Sequence, residues 1–136
     1  MFERRLGRWI GVASAGLALP VVLGVPAAFG GERAATPKVI GNPTSGKLVF
    51  TTWCAQCHTL KAAGSDGAIG PNFDRLKPPL AEATIIKAVT NGGSTVMTKA
   101  QIAKYTTTMI AYKGALTPTQ INDVAAFVYT STNKTG

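Results

Sequence analysis

The sequence predicts an all-α domain over residues 44–136, built from three to five short helices. Three segments carry apolar residues at helical spacing, at 47–54, at 81–90 and from 118 onward. Residues that start or stop helices flank each of these segments. A chain of 136 residues forms one ordinary domain at most, so the predicted helices must share one modest core.

The last helix has the best-marked start. Thr117 is a suitable N-cap, Pro118 suits the first helical position, and Gln120 supplies a polar third residue. One apolar stripe then follows, formed by Ile121, Val124, Ala125 and Val128, with Phe127 beside it. This pattern predicts an amphipathic helix packed against the rest of the domain.

Two earlier helices are predicted from similar signals. Thr44 or Ser45 offers an N-cap for a first helix over Lys47–Cys54. Ala81–Thr90 has a helical pattern that ends at a glycine pair, which is a typical helix stop. A glycine-rich loop lies between these two helices.

The segment Cys54-Ala55-Gln56-Cys57-His58 is the strongest chemical signal in the chain. Two thiols at this spacing, with a histidine directly after the second, are the attachment pattern of a c-type haem. These are the only cysteines and the only histidine in the sequence. A haem site therefore accounts for all of them.

Other sites use parts of the same pattern. Trp53 before Cys54 would also suit a thioredoxin-like redox site, but that site follows a strand and the flanks here are helical. A structural zinc site needs four ligands, and one cysteine pair with one histidine supplies three. A disulfide across two intervening residues would close a small, strained loop. The haem interpretation is favoured, and these three remain its alternatives.

Residues 1–30 have the composition of an export signal. Three arginines lie among the first eight residues, and the stretch 9–31 has no charge and ends in small residues. Cleavage would follow Ala27 or Gly30. The uncharged stretch is also long enough to span a bilayer, so a retained membrane anchor is the alternative. Residues 31–43 are rich in small residues and proline and predict a linker. In both cases the domain is expected in the periplasm or at the extracytoplasmic face of a membrane.

The charge of the chain is basic. The formal net charge is +8, and removal of residues 1–30 takes away three arginines and one glutamate and leaves +6. A basic surface suits an acidic protein partner, an anionic membrane or a nucleic acid. The lysines are spread singly and form no stripe, which argues against nucleic acid: Lys38, Lys47, Lys61, Lys77, Lys87, Lys99, Lys104, Lys113 and Lys134. No set of general acid, base and nucleophile is visible, so we do not expect an enzyme.

From Gly46 to about Ser131 the sequence resembles the class I c-type cytochromes, which are small monohaem electron carriers. The resemblance is carried by the haem-attachment segment and by four further positions, Gly46, Phe50, Val124 and Phe127. It implies the cytochrome c fold, in which the first and last helices cross and the helices wrap around one haem. It also implies one haem c, covalently bound through Cys54 and Cys57.

The resemblance also implies the axial ligands. His58 would bind the iron on one side, with the carbonyl of Pro71, in a Gly-Pro motif, accepting a hydrogen bond from its Nδ1. A methionine would bind on the other side. Met109 lies 18 positions before Phe127, which is the family's spacing, whereas Met97 lies thirty before it. The predicted ligand is therefore Met109.

This choice has consequences for the neighbouring residues. Residues 95–108 become an insertion, in which 99–105 could form one or two helical turns and Met97 is a packing residue. Ile110 stands where relatives carry proline, which bears on how firmly the ligand loop is held. Lys99, Lys104 and Tyr105 are minor rivals for the iron at high pH.

With both axial positions filled, the resemblance implies a one-electron carrier between extracytoplasmic redox partners. It would act as a monomer or as the cytochrome subunit of a larger complex, such as a dehydrogenase or oxidase. The alternative is a gas- or ligand-binding haem module in which Met109 leaves the iron on reduction. A thioredoxin-like oxidoreductase is the third possibility.

Overall fold

A computed structural model of the protein describes residues 38–134. The predicted export signal or anchor at 1–30, and all but the end of the predicted linker, lie outside these residues. The described part contains four α-helices, α1 Pro43–Trp53, α2 Glu82–Asn91, α3 Lys99–Ile102 and α4 Pro118–Thr132, and a short antiparallel hairpin of β1 Thr59–Leu60 and β2 Ser65–Asp66. The all-α prediction is confirmed, and the small hairpin was not predicted.

Helix α1 begins four residues earlier than predicted. Its N-cap is Asn42, whose Oδ1 accepts the backbone N–H groups of Thr44 at 2.9 Å and Ser45 at 3.3 Å. Pro43 occupies the first helical turn, where its missing N–H costs nothing. The predicted caps, Thr44 and Ser45, are therefore wrong. They lie within the helix because Asn42 already satisfies the free N–H groups of its first turn.

Helices α2 and α3 are close to their predicted positions. Helix α2 covers Glu82–Asn91, one residue later than predicted, and its C-cap is Gly92, which has a φ of +93°. Helix α3 is a single turn inside the predicted insertion. Thr98 caps it through a reciprocal pair of hydrogen bonds with Gln101.

Helix α4 starts as predicted. The Thr117 Oγ1 accepts the backbone N–H of Gln120 at 3.2 Å, and the Gln120 Oε1 accepts the backbone N–H of Thr117 at 2.9 Å. Pro118 occupies the first turn. This capping box satisfies two N–H groups that the helix itself leaves free, so a local signal suffices to define where α4 begins.

Helices α1 and α4 cross in backbone contact, as the resemblance implied. A Cβ placed on Gly46 would lie 1.9 Å from the carbonyl oxygen of Asp123, so only glycine fits there. One turn later, the rings of Phe50 and Phe127 meet edge to face with centroids 5.7 Å apart. The Oδ1 of Asp123 also accepts the backbone N–H of Asn42 at 2.7 Å. The crossing therefore combines close packing with a partly buried hydrogen bond.

The core extends from this crossing to α2. Its buried side chains are Val49, Phe50, Cys54, Leu60, Ile85, Val89, Leu116, Ile121, Val124, Ala125, Phe127 and Val128. Within residues 38–134, no helix has the length and apolar character needed to cross a membrane.

Candidate functional site: an apolar cavity lined by cysteine, histidine and methionine

The attachment segment follows directly from the end of α1. The N–H groups of Cys57 and His58 both donate to the carbonyl of Cys54, at 3.1 and 3.0 Å, which turns the chain tightly. The hairpin then returns over this turn, and the Ser65 hydroxyl donates to the His58 carbonyl at 2.9 Å. The N–H of Gly70 donates to the Cys57 carbonyl at 2.7 Å. Both cysteines and the histidine are thereby fixed on one wall of a cavity.

The cavity has a volume of about 510 Å³, within the range of pockets that hold a small-molecule cofactor. Its lining is largely apolar and includes Cys54, Cys57, His58, Met97 and Met109. Among residues 38–134, no acidic side chain lines the cavity. Such surroundings suit a large apolar ring with few polar groups.

His58 is held by the backbone of Pro71. Its Nδ1 lies 3.0 Å from the Pro71 carbonyl oxygen, which can only accept, so Nδ1 carries the hydrogen. Burial lowers the pKa of His58, and the hydrogen bond to Pro71 opposes this shift. The ring is therefore neutral at physiological pH and its Nε2 keeps a lone pair. Nε2 makes no hydrogen bond to any residue in 38–134 and is available to a metal.

Two further residues position the imidazole, and the sequence alone did not assign them a role. The Phe73 ring stacks on His58 with centroids 4.6 Å apart and an angle of 20° between the planes. A Cβ placed on Gly70 would lie 2.6 Å from Cε1 of His58, so the glycine backbone packs directly against the ring. The sequence signal that could have revealed these roles is the run Gly70-Pro71-Asn72-Phe73. Gly70, Pro71 and Phe73 all contact His58 from this one short loop.

The loop that carries Met109 is fastened to the end of α2. The N–H of Gly93 donates to the Met109 carbonyl at 3.0 Å. On the other side of Ile110, the N–H of Tyr112 donates to the Val89 carbonyl at 2.9 Å. These bonds fix the backbone before and after the position where relatives carry proline. The loop is therefore held by tertiary hydrogen bonds.

The insertion 95–108 forms a wall of the same cavity. Its lining residues are Val96, Met97, Gln101, Ile102, Lys104, Tyr105, Thr107 and Thr108. Of the three minor rivals for the iron, Lys104 and Tyr105 line the cavity and Lys99 does not. The insertion is therefore part of the cavity wall and does not project away from the cavity.

The alternative interpretations of the cysteine pair fit the site less well. Cys54 and Cys57 form no disulfide with each other, and burial, followed by the neighbouring Cys57, raises the pKa of the Cys54 thiol to about 12. A thioredoxin-like nucleophile needs a lowered thiol pKa, so the first alternative is disfavoured. Within residues 38–134, no three His, Cys, Asp or Glu side chains are grouped to share a metal ion, which leaves a zinc site without its ligands.

The donor set fits a covalently attached haem. Two neighbouring thiols can form thioether bonds, while a neutral imidazole and a thioether sulfur from the same apolar cavity can bind the iron. The fold and the site together therefore define an all-α haem protein with a c-type attachment segment.

Comparison with known proteins identifies the family. The family described as Cytochrome c matches residues 43–132. A solved structure of the c-type cytochrome SorU from Sinorhizobium meliloti is 32% identical, with a TM-score of 0.50, and the match covers 68% of this chain and 92% of that chain. The chain belongs to the cytochrome c family. It is accordingly a haem-containing electron carrier that binds haem c covalently.

Proposed function

We propose that this protein is an exported monohaem carrier whose iron is bound by His58 and Met109. Cys54 and Cys57 attach the haem, and Pro71 orients His58. The observation that carries the proposal is that one apolar cavity brings together both thiols, the imidazole and the thioether. Each ligand also has its own backbone support, from the Pro71 carbonyl for His58 and from Gly93 for Met109.

The bound haem supplies a one-electron iron couple. The residues of the chain decide how that couple behaves. Met109 would give the iron a thioether ligand, which would favour the reduced state, and the apolar lining of the cavity would do the same because the oxidised centre carries one more positive charge. The hydrogen bond to Pro71 makes the imidazole more electron-rich, which favours the oxidised state and offsets part of this effect. Each 59 mV of difference in reduction potential between this haem and a partner changes the equilibrium constant for electron transfer about tenfold.

The mouth of the cavity is the proposed docking surface for redox partners. Three lining residues are large, exposed hydrophobic side chains, namely Trp53 at 43%, Ile69 at 45% and Ile110 at 69% relative exposure. Tyr112 supports Trp53, since its ring packs edge to face at 6.2 Å and its hydroxyl donates to the Trp53 carbonyl at 3.4 Å. Lys104 is the only charged lining residue within the described part of the chain. A partner with an apolar patch bordered by acidic residues fits this surface.

The proposed location of the protein is based on residues 1–30, whose composition is that of an export signal or anchor. We propose that the haem domain works in the periplasm or at the extracytoplasmic face of the membrane. It would exchange electrons there as a monomer or as the cytochrome subunit of a dehydrogenase or oxidase.

The test is a carbon monoxide titration of the reduced, haem-loaded protein, followed by its visible spectrum. An unchanged six-coordinate spectrum, together with a single one-electron transition in a redox titration, supports the carrier. A shifted Soret band at low gas concentration would instead favour a gas-binding module with a labile Met109. The observation that speaks for this second function is Ile110, which replaces the family proline and is exposed.

A further inference from the structure

We infer that Met97 is a reserve axial ligand, able to bind the iron through its sulfur when Met109 is removed or displaced. The inference rests on the proposed function, because it assumes that Met109 is the resident ligand. Met97 belongs to the insertion 95–108, so this insertion would add a second possible iron ligand to the site.

Both methionine side chains lie close to Gly93 in the cavity wall. A Cβ placed on Gly93 would lie 3.1 Å from the Cβ of Met109 and 3.8 Å from the sulfur of Met97. Both side chains line the same cavity. Met97 therefore presents its sulfur beside the backbone from which Met109 projects. A larger residue than glycine at position 93 would press against both side chains.

The chain on both sides of Met97 is held in place. Before it, the N–H of Val96 donates to the Gly93 carbonyl at 3.2 Å. After it, Thr98 caps α3 through its capping box with Gln101. Met97 lies between these two turns, and its unbranched side chain has three rotatable bonds. The backbone thus stays near the site while the sulfur can move.

The exchange needs no change in charge or oxidation state. One bond from iron to the Met109 sulfur breaks and one bond to the Met97 sulfur forms, so no proton or electron is gained or lost. A peroxide could also remove the Met109 ligand, by transferring one oxygen atom to the thioether sulfur to give the sulfoxide and leaving water or an alcohol. With Met97 in reserve, the iron keeps a thioether and does not open to small ligands.

The experiment compares Met109→Ala with Met109→Ala/Met97→Leu in the haem-loaded full chain, labelled with methyl-¹³C methionine. In a reduced thioether-ligated haem, the ring current moves the ligand methyl resonance far upfield. We expect Met109→Ala to keep one such resonance and to resist carbon monoxide. The double variant should lose the resonance and bind the gas. The matched control is Met109→Ala/Ile102→Leu, which alters another lining residue of the insertion and should behave as Met109→Ala does.

The outcomes separate the two proposals. If the wild type shows no upfield methyl, or loses it in Met97→Leu instead of in Met109→Ala, the assignment of Met109 fails. If the wild type is ligated by Met109 and Met109→Ala binds carbon monoxide without an upfield methyl, only the reserve role of Met97 is overturned. If Met109→Ala does not retain haem, Met109→Val, which fills more of the space, is measured with the same criteria.

Discussion

The crossing of α1 and α4 gives a prediction with a definite sign, through the variant Gly46→Ala. On helix propensity alone, alanine in place of a mid-helix glycine should stabilise the protein by about 1 kcal/mol. The crossing predicts the opposite. The new Cβ would lie 1.9 Å from the Asp123 carbonyl oxygen and 2.9 Å from the Cβ of Phe127.

The size of the effect follows from these distances. Ordinary contact begins at 3.4 Å, so the two helices must separate locally by 3.4 − 1.9 = 1.5 Å. The blocking atom belongs to the backbone of α4 and cannot rotate away. The separation also loosens the contact of Phe50 with Phe127. Overpacking of this kind costs about 3 kcal/mol. For a domain of this size, that loss lowers Tm by roughly 12–24 °C.

The assay is thermal and denaturant unfolding of the haem-loaded protein, followed by far-UV circular dichroism. The control is Gly64→Ala, which has a φ of +70° and nothing within 4 Å of the new Cβ. That variant has only the left-handed backbone cost, about 1 kcal/mol. Gly46→Ala as stable as the wild type, or more stable, would refute the close crossing.

Three further variants test the site and its support. Replacing both Cys54 and Cys57 by alanine should abolish covalent haem attachment, measured as loss of the haem stain on a denaturing gel, while each single variant should keep one thioether bond and some stain. An unchanged stain in the double variant would contradict attachment through these cysteines. Gly70→Ala puts a Cβ 2.6 Å from Cε1 of His58 and should lower haem incorporation and shift the Soret band, whereas an unaltered spectrum would show that the ring is free to move. Asp123→Ala removes the 2.7 Å hydrogen bond at the start of α1 and should lower the free energy of unfolding by about 1.5–3 kcal/mol in denaturant titrations, whereas Asp123→Asn should lower it less because it keeps an acceptor oxygen. Equal stability of the wild type and both variants would count against this contact.

The start of α1 shows how a local signal can be present and still be misjudged. Asn42 and Pro43 form an N-cap and a first-turn proline, which are as strong as the signals that begin α4. The two residues fall at the end of the predicted linker, because the residues before them are also rich in proline and glycine. Asn42 is the N-cap in the structure because its backbone N–H also donates a hydrogen bond to Asp123 of α4, which fixes the start of the helix.

The ligand loop shows the opposite case, in which the sequence contains no local signal. Ile110 in place of proline predicted a less rigid loop. The support comes from Val89 and Gly93, at the end of α2, which bond to Tyr112 and Met109 respectively. Contacts between residues this far apart in the chain leave no periodicity or spacing for sequence reasoning to detect. That Met109 is the ligand remains a prediction from its spacing to the last helix.

The sequence by itself determined the features that depend on neighbouring residues. These are the cofactor class, from Cys54, Cys57 and His58, and the start of α4, from a capping box that spans four positions. The tertiary structure alone decided which surfaces close around the cofactor site. It placed Phe73 on the imidazole, set the insertion 95–108 as a cavity wall, and brought the Met97 sulfur beside Met109. The physical reason is that covalent spacing and capping act within one turn of chain, whereas packing depends on which distant side chains fill the same space.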